Sequence, residues 1–308
     1  AQFYFANGFN AEALGVLKRL EGESPAIVEE PEFRLIRGAS NYFLHRLSEA
    51  ANDLSHASLE KNGEANFWRA AVIASSGEML AAAAELRRTG AIAQGYPKAL
   101  KIPTSILVAE AAVELGDVTT AKAFIKALKK VEPNEDQKAE INYIQGKAFN
   151  VVDDPDGAID KWEKALGSRN MRVRAKAALA RANLMLKHNR IEKKEAIAEL
   201  EKLRFVWRGD RFEFDLLRRL AALYLEQGIY RNGLLALRNA VEYYRNNEDT
   251  PQVAEQMANV FSRLYLTDAA EKMPAVTAIA LYKEFKELTP AGAKGDEIIR
   301  KLADKLAR

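Results

Sequence analysis

A pattern that returns about every 37 residues constrains this 308-residue chain more than any other feature. It is clearest between Gln137 and Leu166. There Gly146 is followed by Phe149, by a turn running from Asp153 to Gly157, and then by Ala158, Trp162 and Ala165. A second copy reads Ala221, Tyr224, Gly228, Tyr230, Gly233, Leu237 and Ala240. A third reads Ala109, Ala112, Gly116, Ala121, Ile125, Leu128 and Pro133. Self-similarity at a fixed period means that each unit buries its apolar face on its neighbours, so the units stack.

The small residue early in the second helix of each unit serves as a ruler. It falls at Ala13, Ala50, within Ala81 to Ala84, and at Ala121, Ala158, Ala196, Gly233 and Ala278. Most intervals are 37 or 38 residues, and the last is 45. Within a unit, apolar residues recur at i, i+3, i+4 and i+7 along two helices separated by a short turn. Where the two axes approach to about 8–9 Å, only Gly, Ala or Ser fits between the backbones. Asp154 ahead of Pro155 is placed to cap one second helix, and Asp117 to cap another over Val118 to Lys130. No alternating apolar/polar strand pattern interrupts the series. The expected fold is therefore all-α, a right-handed superhelical solenoid of antiparallel helix pairs. About seven repeats are complete, with partial units at the ends.

One solenoid is expected over residues 1–308. Residues 1–25 read as a truncated first repeat, because Tyr4, Gly8 and Ala13 share the spacing of Tyr224, Gly228 and Gly233. Residues 296–308 read as a terminal amphipathic helix, either a cap or the start of a further repeat. The chain is accordingly expected to be part of a longer protein. Two segments disturb the period: Thr89 to Thr104, with Gly90, Gly95, Pro97 and Pro103, and the longer turn Thr267 to Pro274.

These residues resemble the tetratricopeptide repeat (TPR) superfamily over essentially the full length, in drifted repeats of bacterial type. The resemblance rests on Gly146, Phe149, Ala158, Trp162 and Ala165, on Ala221, Tyr224, Gly228, Tyr230, Gly233 and Ala240, and less closely on the units at Gly38 and Ala109. It implies a scaffold that binds a peptide or protein on a concave face lined by the first helices. By position these lining residues include Tyr143, Lys147 and Asn150, then Arg174, Ala177 and Arg181, then Arg218 and Leu225. The Lys/Asn pair with which chaperone-binding members clamp a terminal carboxylate is absent at those positions, which disfavours a chaperone cofactor.

Chemistry of other kinds finds little footing. The chain has no Cys, which removes thiolate catalysis, disulfides and Cys-ligated metals. His45, His56 and His188 are scattered, with no triad order and no metal-ligand spacing. The acids Asp153, Asp154 and Asp156 before Gly157, with Glu163 beyond, fit a capped turn better than a calcium loop. The segment Gly292 to Gly295 lacks the spacing of a phosphate-binding loop. Trp162 and Trp68 fall on core positions, whereas Trp207 lies in a link between repeats. No catalytic residue, metal or cofactor is expected. No apolar run approaches the length of a membrane span, and the compartment stays open between a bacterial cytoplasm and the cell envelope.

Charge is the one feature above background. Residues 1–160 hold 17 Lys/Arg against 23 Asp/Glu, whereas residues 169–219 hold 15 against 7. Arg174 and Arg181 are seven apart and so share a helical face, with Lys147 and Arg218 expected to flank them. Guanidinium forks suit carboxylates, so an acidic or carboxylate-bearing ligand is expected there. Leu35, Tyr42 and Phe43 would offer an apolar stretch of the same groove. The alternative is nucleic-acid binding through residues 169–219, with Phe205, Trp207, Phe212 and Phe214 available for stacking.

Overall fold

The computed structural model describes residues 1–128, 130–205, 211–267 and 269–307. Among these residues the chain forms eighteen α-helices and three short 3-10 turns, with no strand. Its contacts group into two units, Ala1–Leu184 and Met185–Arg308.

The first unit holds α1 (Gln2–Ala6), α2 (Asn10–Glu23), α3 (Pro31–Phe43), α4 (Leu47–Leu54), α5 (Gly63–Ser75), α6 (Met79–Thr89), α7 (Ala91–Gly95), α8 (Lys98–Glu114), α9 (Val118–Leu128), α10 (Glu135–Val151) and α11 (Pro155–Leu166). It also holds most of α12 (Met171–Lys187), within which the division falls. The second unit holds α13 (Lys193–Leu203), α14 (Arg211–Glu226), α15 (Tyr230–Tyr243), α16 (Thr250–Leu266), α17 (Ala275–Glu284) and α18 (Ala293–Leu306). Sequential helices pack as hairpins: α3 with α4, α5 with α6, α8 with α9 and α10 with α11 in the first unit, and α14 with α15 in the second.

Every ruler position is in the core. Ala13, Ala50, Ala83, Ala121, Ala158, Ala196 and Ala278 are fully buried, and Gly233 is buried as well. The steric reason is plainest at Gly146. A Cβ there would lie 2.3 Å from Nε1 of Trp162, so only glycine lets α10 and α11 close on each other. The indole in turn donates to the Tyr143 carbonyl at 3.1 Å. At Gly228 the need is conformational: φ of +72° lets the chain leave α14 and enter α15 through a short turn.

The helix starts follow the expected capping chemistry. Asp154 accepts from the Gly157 N–H at 2.9 Å, with Pro155 as the first helical residue of α11. Asp117 accepts from the Thr120 N–H at 3.0 Å at the start of α9. Asn134 and Gln137 form a reciprocal capping box that opens α10.

The segment from Thr89 to Thr104 departs from a two-helix period by insertion rather than by a loop. A short helix, α7, is added, and α8 runs through Pro103. Buried Ala93 and Leu100 anchor the insertion on the core, which outweighs the loss of one helical N–H at the proline. Tyr96, between α7 and α8, donates its hydroxyl hydrogen to Glu64 and accepts from Trp68 Nε1 at 3.0 Å. The long turn expected before Pro274 separates α16 from α17. The terminal helix is α18, which buries Ile298 and Leu302 and leaves Ile299 and Leu306 exposed. Trp207 lies outside the described residues.

Candidate functional site

The first helices of successive pairs in the first unit bring a polar cluster to one face. It is built from residues four apart, which stand one above the other on a helix. Helix α8 contributes Glu110 and Glu114, α10 contributes Tyr143 and Lys147 with Glu140 one turn earlier, and α12 contributes Arg172 and Lys176. The apolar residues of the same helices set this register. On α12, Val173 and Ala177 are buried with Ala139 and Trp162, so Arg172 and Lys176 emerge beside that core. On α10, Ile144 and Ala148 do the same for Tyr143 and Lys147.

The charges answer one another across helices. Lys147 bonds Glu114, and its ammonium also lies 3.9 Å from Glu110. Lys176 lies 3.9 Å from the same oxygen of Glu110. Both ammonium groups approach the Tyr143 ring, at 5.9 Å for Lys147 and 5.7 Å for Lys176, within reach of a cation–π attraction. The cluster is largely withdrawn from solvent, with side-chain exposures of 18% for Glu110, 21% for Lys147, 29% for Lys176 and 31% for Glu114.

Burial and charge shift the protonation equilibria here. Burial would raise the Glu110 carboxyl, but Lys176, Lys147 and Arg172 together hold it below the usual carboxylate range. Burial also works against the Lys147 ammonium, yet Tyr143, Glu110 and Glu114 outweigh it and keep the charge firmly in place. Glu140 goes the other way: burial and then repulsion from Glu110 raise it, and Lys176 and Arg172 offset this only in part. The Tyr143 phenol is pushed up to about 12, chiefly by burial. Tyr42, on α3, belongs to the same electrostatic neighbourhood. Burial raises its hydroxyl, Ser75 on α5 partly offsets this, and Glu110, Arg172 and Glu140 act on it through space.

Such a cluster is poorly explained by stability. Ion pairs withdrawn from water gain little over well-packed apolar residues of the same size. Perturbed groups gathered on one face make this cluster the candidate site.

The residues singled out from the sequence fall in several places. Tyr143 and Lys147 are at the centre of the cluster, whereas Asn150 is exposed near the end of α10. Arg174 is exposed, with a guanidinium nitrogen 3.6 Å from Sδ of Met171. Two residues along a helix is a rotation of about 200°, so Arg174 does not share the face of Arg172 and Lys176. Ala177 is fully buried in the core, and Arg181 pairs with Glu163 of α11 at 3.3 Å. Leu35, Tyr42 and Phe43 are partly buried against the core, with the Tyr42 and Phe43 rings each 5.4 Å from Trp68. Arg218 belongs to the second unit, where it pairs with Asp249 at 3.3 Å and lies over the Phe214 ring. Leu225, also there, lies against Gly233.

Sequence reasoning passed over Glu110, Glu114, Glu140, Arg172, Lys176 and Ser75. The available signal was the i, i+4 pairing of acids on one first helix and bases on another.

Other candidates are weaker. Among the described residues no group of His, Asp and Glu could hold a metal ion, and no helix is long and apolar enough to cross a membrane. An open concavity of about 390 Å³ in the first unit is lined in part by Lys18, Asn41, Arg46 and Asp53. Its deepest charge, Asp53, is already held by Arg34 at 2.9 Å and by both arms of Arg37. In the second unit Lys193 pairs with Glu226 and Arg211 with Asp249.

No protein-family model matches the sequence, and no curated protein does. Solved structures match the fold, which is of the TPR type. NprR in complex with its cognate peptide NprX is 11% identical, with a TM-score of 0.60 over 97% of this chain and 96% of that one. A tetratricopeptide repeat protein from Parabacteroides merdae is 15% identical, with a TM-score of 0.54 over 83% of this chain and 95% of that one. A chain of the APC/C hetero-tetramer Cut9–Hcn1 is 16% identical, with a TM-score of 0.53 over 82% of this chain and 47% of its own.

Proposed function

We propose that this chain is a non-enzymatic interaction scaffold whose first unit seats a peptide or protein segment on the concave face formed by α3, α5, α8, α10 and α12. The observation that carries this reading is the cross-helix cluster of Glu110, Glu114, Tyr143, Lys147 and Lys176, in which paired charges are gathered on one face and largely withdrawn from water. The likeness in fold to a peptide-bound structure supports the same kind of ligand.

A carboxylate-bearing ligand remains the favoured chemistry, but Lys147, Arg172 and Lys176 replace the pair Arg174 and Arg181 as its expected contacts. Tyr42 and Tyr143 add aromatic surface with a polar tip, suited to a partly apolar peptide. Nucleic-acid binding through the basic segment is the less favoured reading, since Phe212 and Phe214, named for base stacking, are buried in the core.

The test is selection of peptides from a random display library against the full chain. We expect enriched peptides whose affinity falls at least about tenfold when Lys147→Glu and Lys176→Glu are combined, a loss of about 1.4 kcal/mol or more. Exposed Arg174→Glu should leave them bound. Peptides that bind the double variant as well as the parent would place the ligand elsewhere.

A further inference from the structure

Lys147 is held by two acids that differ in how firmly they are themselves held. Glu110 lies between Lys147 and Lys176, at 3.9 Å from each, with only 18% of its side chain exposed. Its departure would take a counter-charge from both ammonium groups at once and leave Lys176 without the carboxylate it faces. Glu114 is 31% exposed and is the last residue of α8. A carboxylate at the C-terminal end of a helix faces the negative end of the helix dipole, so nothing in its own helix favours it there. What holds it is the bond to Lys147.

We propose that Glu114 determines which ligands reach Lys147: it occupies the ammonium in the free protein and yields it only to a carboxylate of the incoming ligand. The exchange is balanced in charge. One carboxylate leaves the ammonium for solvent and another arrives, while Glu110 stays in place between the two lysines. A neutral or cationic ligand offers Lys147 nothing in return for Glu114 and is screened out at this point of the groove. The inference rests on the peptide-binding reading above, and deepens it by naming a specificity-determining residue.

Fluorescence anisotropy of the full chain with fluorescein-labelled pentaglutamate and pentalysine peptides tests it. Glu114→Gln should bind pentaglutamate at least roughly fivefold tighter than the parent, the lower end of an ordinary coupling between sites. Adding Lys147→Gln should erase that gain. Glu12→Gln, an exposed acid on α2, controls for the extra positive charge and should change binding little. Thermal unfolding by circular dichroism verifies that each variant is folded.

A parent that binds pentaglutamate, with Glu114→Gln no tighter, overturns the role of Glu114 and leaves the peptide-binding reading intact. An equal gain in Glu12→Gln also overturns it, since long-range charge would then be the cause. Pentalysine that binds the parent and is lost in Glu114→Gln makes Glu114 a direct contact for a cation and overturns the inference in the opposite sense. Pentaglutamate that binds neither protein removes both the inference and the anionic ligand.

Discussion

At Gly146 a single missing carbon atom links the core to the candidate site. Trp162 fills the space a side chain would take, and its indole N–H reaches the carbonyl of Tyr143, whose ring is approached by both Lys147 and Lys176. Gly146→Ala must push the indole away, and we expect it to cost about 1–3 kcal/mol in urea unfolding, the usual penalty of overpacking. The same change should weaken peptide binding, because it moves the residue that supports Tyr143. Glu140 offers a pH-dependent readout. Its carboxyl is raised in the folded chain, so between its ordinary value of about 4.5 and its folded value the native state holds more protons than the unfolded one. Its contribution to stability therefore declines as pH rises through that window. Glu140→Gln should flatten the decline, measured as the difference between variant and parent in denaturation midpoint from pH 4 to pH 7. A difference that grows toward low pH would have the wrong sign.

At the scale of elements, helix positions were legible and helix faces less so. The ruler from Ala13 to Ala278 and the caps Asp117 and Asp154 describe local sterics and local hydrogen bonds, which short sequence windows contain. The face of α12 that meets the cluster does not follow from such windows. It depends on which apolar residues neighbouring helices accept, and here Val173 and Ala177 turn inward, so Arg172 and Lys176 join the cluster and Arg174 does not. The acids opposite them come from α8, more than fifty residues earlier, beyond the reach of any local pattern. The insertion α7 was visible as broken periodicity, but its role as a clasp was not. There Tyr96→Phe removes the acceptor of the buried Trp68 indole and the bond to Glu64 together. We expect a loss of about 1–3 kcal/mol in thermal or urea unfolding, the penalty of leaving a buried donor without a partner.

For the molecule as a whole, the asymmetry of charge in the sequence changes meaning once the units are known. The segments 1–160 and 169–219 differ sharply, yet the division at residue 184 gives the first unit 24 basic and 24 acidic residues and the second 22 and 19. Neither unit carries a field strong enough to choose a partner by net charge alone. On the proposed function, recognition then rests on local arrangement, and the cluster on α8, α10 and α12 is the arrangement proposed to supply it. Photocrosslinking tests that placement most directly. A benzophenone amino acid replaces Tyr143 in one variant and Leu80, exposed on α6, in another, and each is irradiated with a library-selected peptide. We expect a crosslinked product, identified by mass spectrometry, from position 143 and none from position 80; a crosslink from position 80 with none from 143 would contradict a ligand site on the inner face.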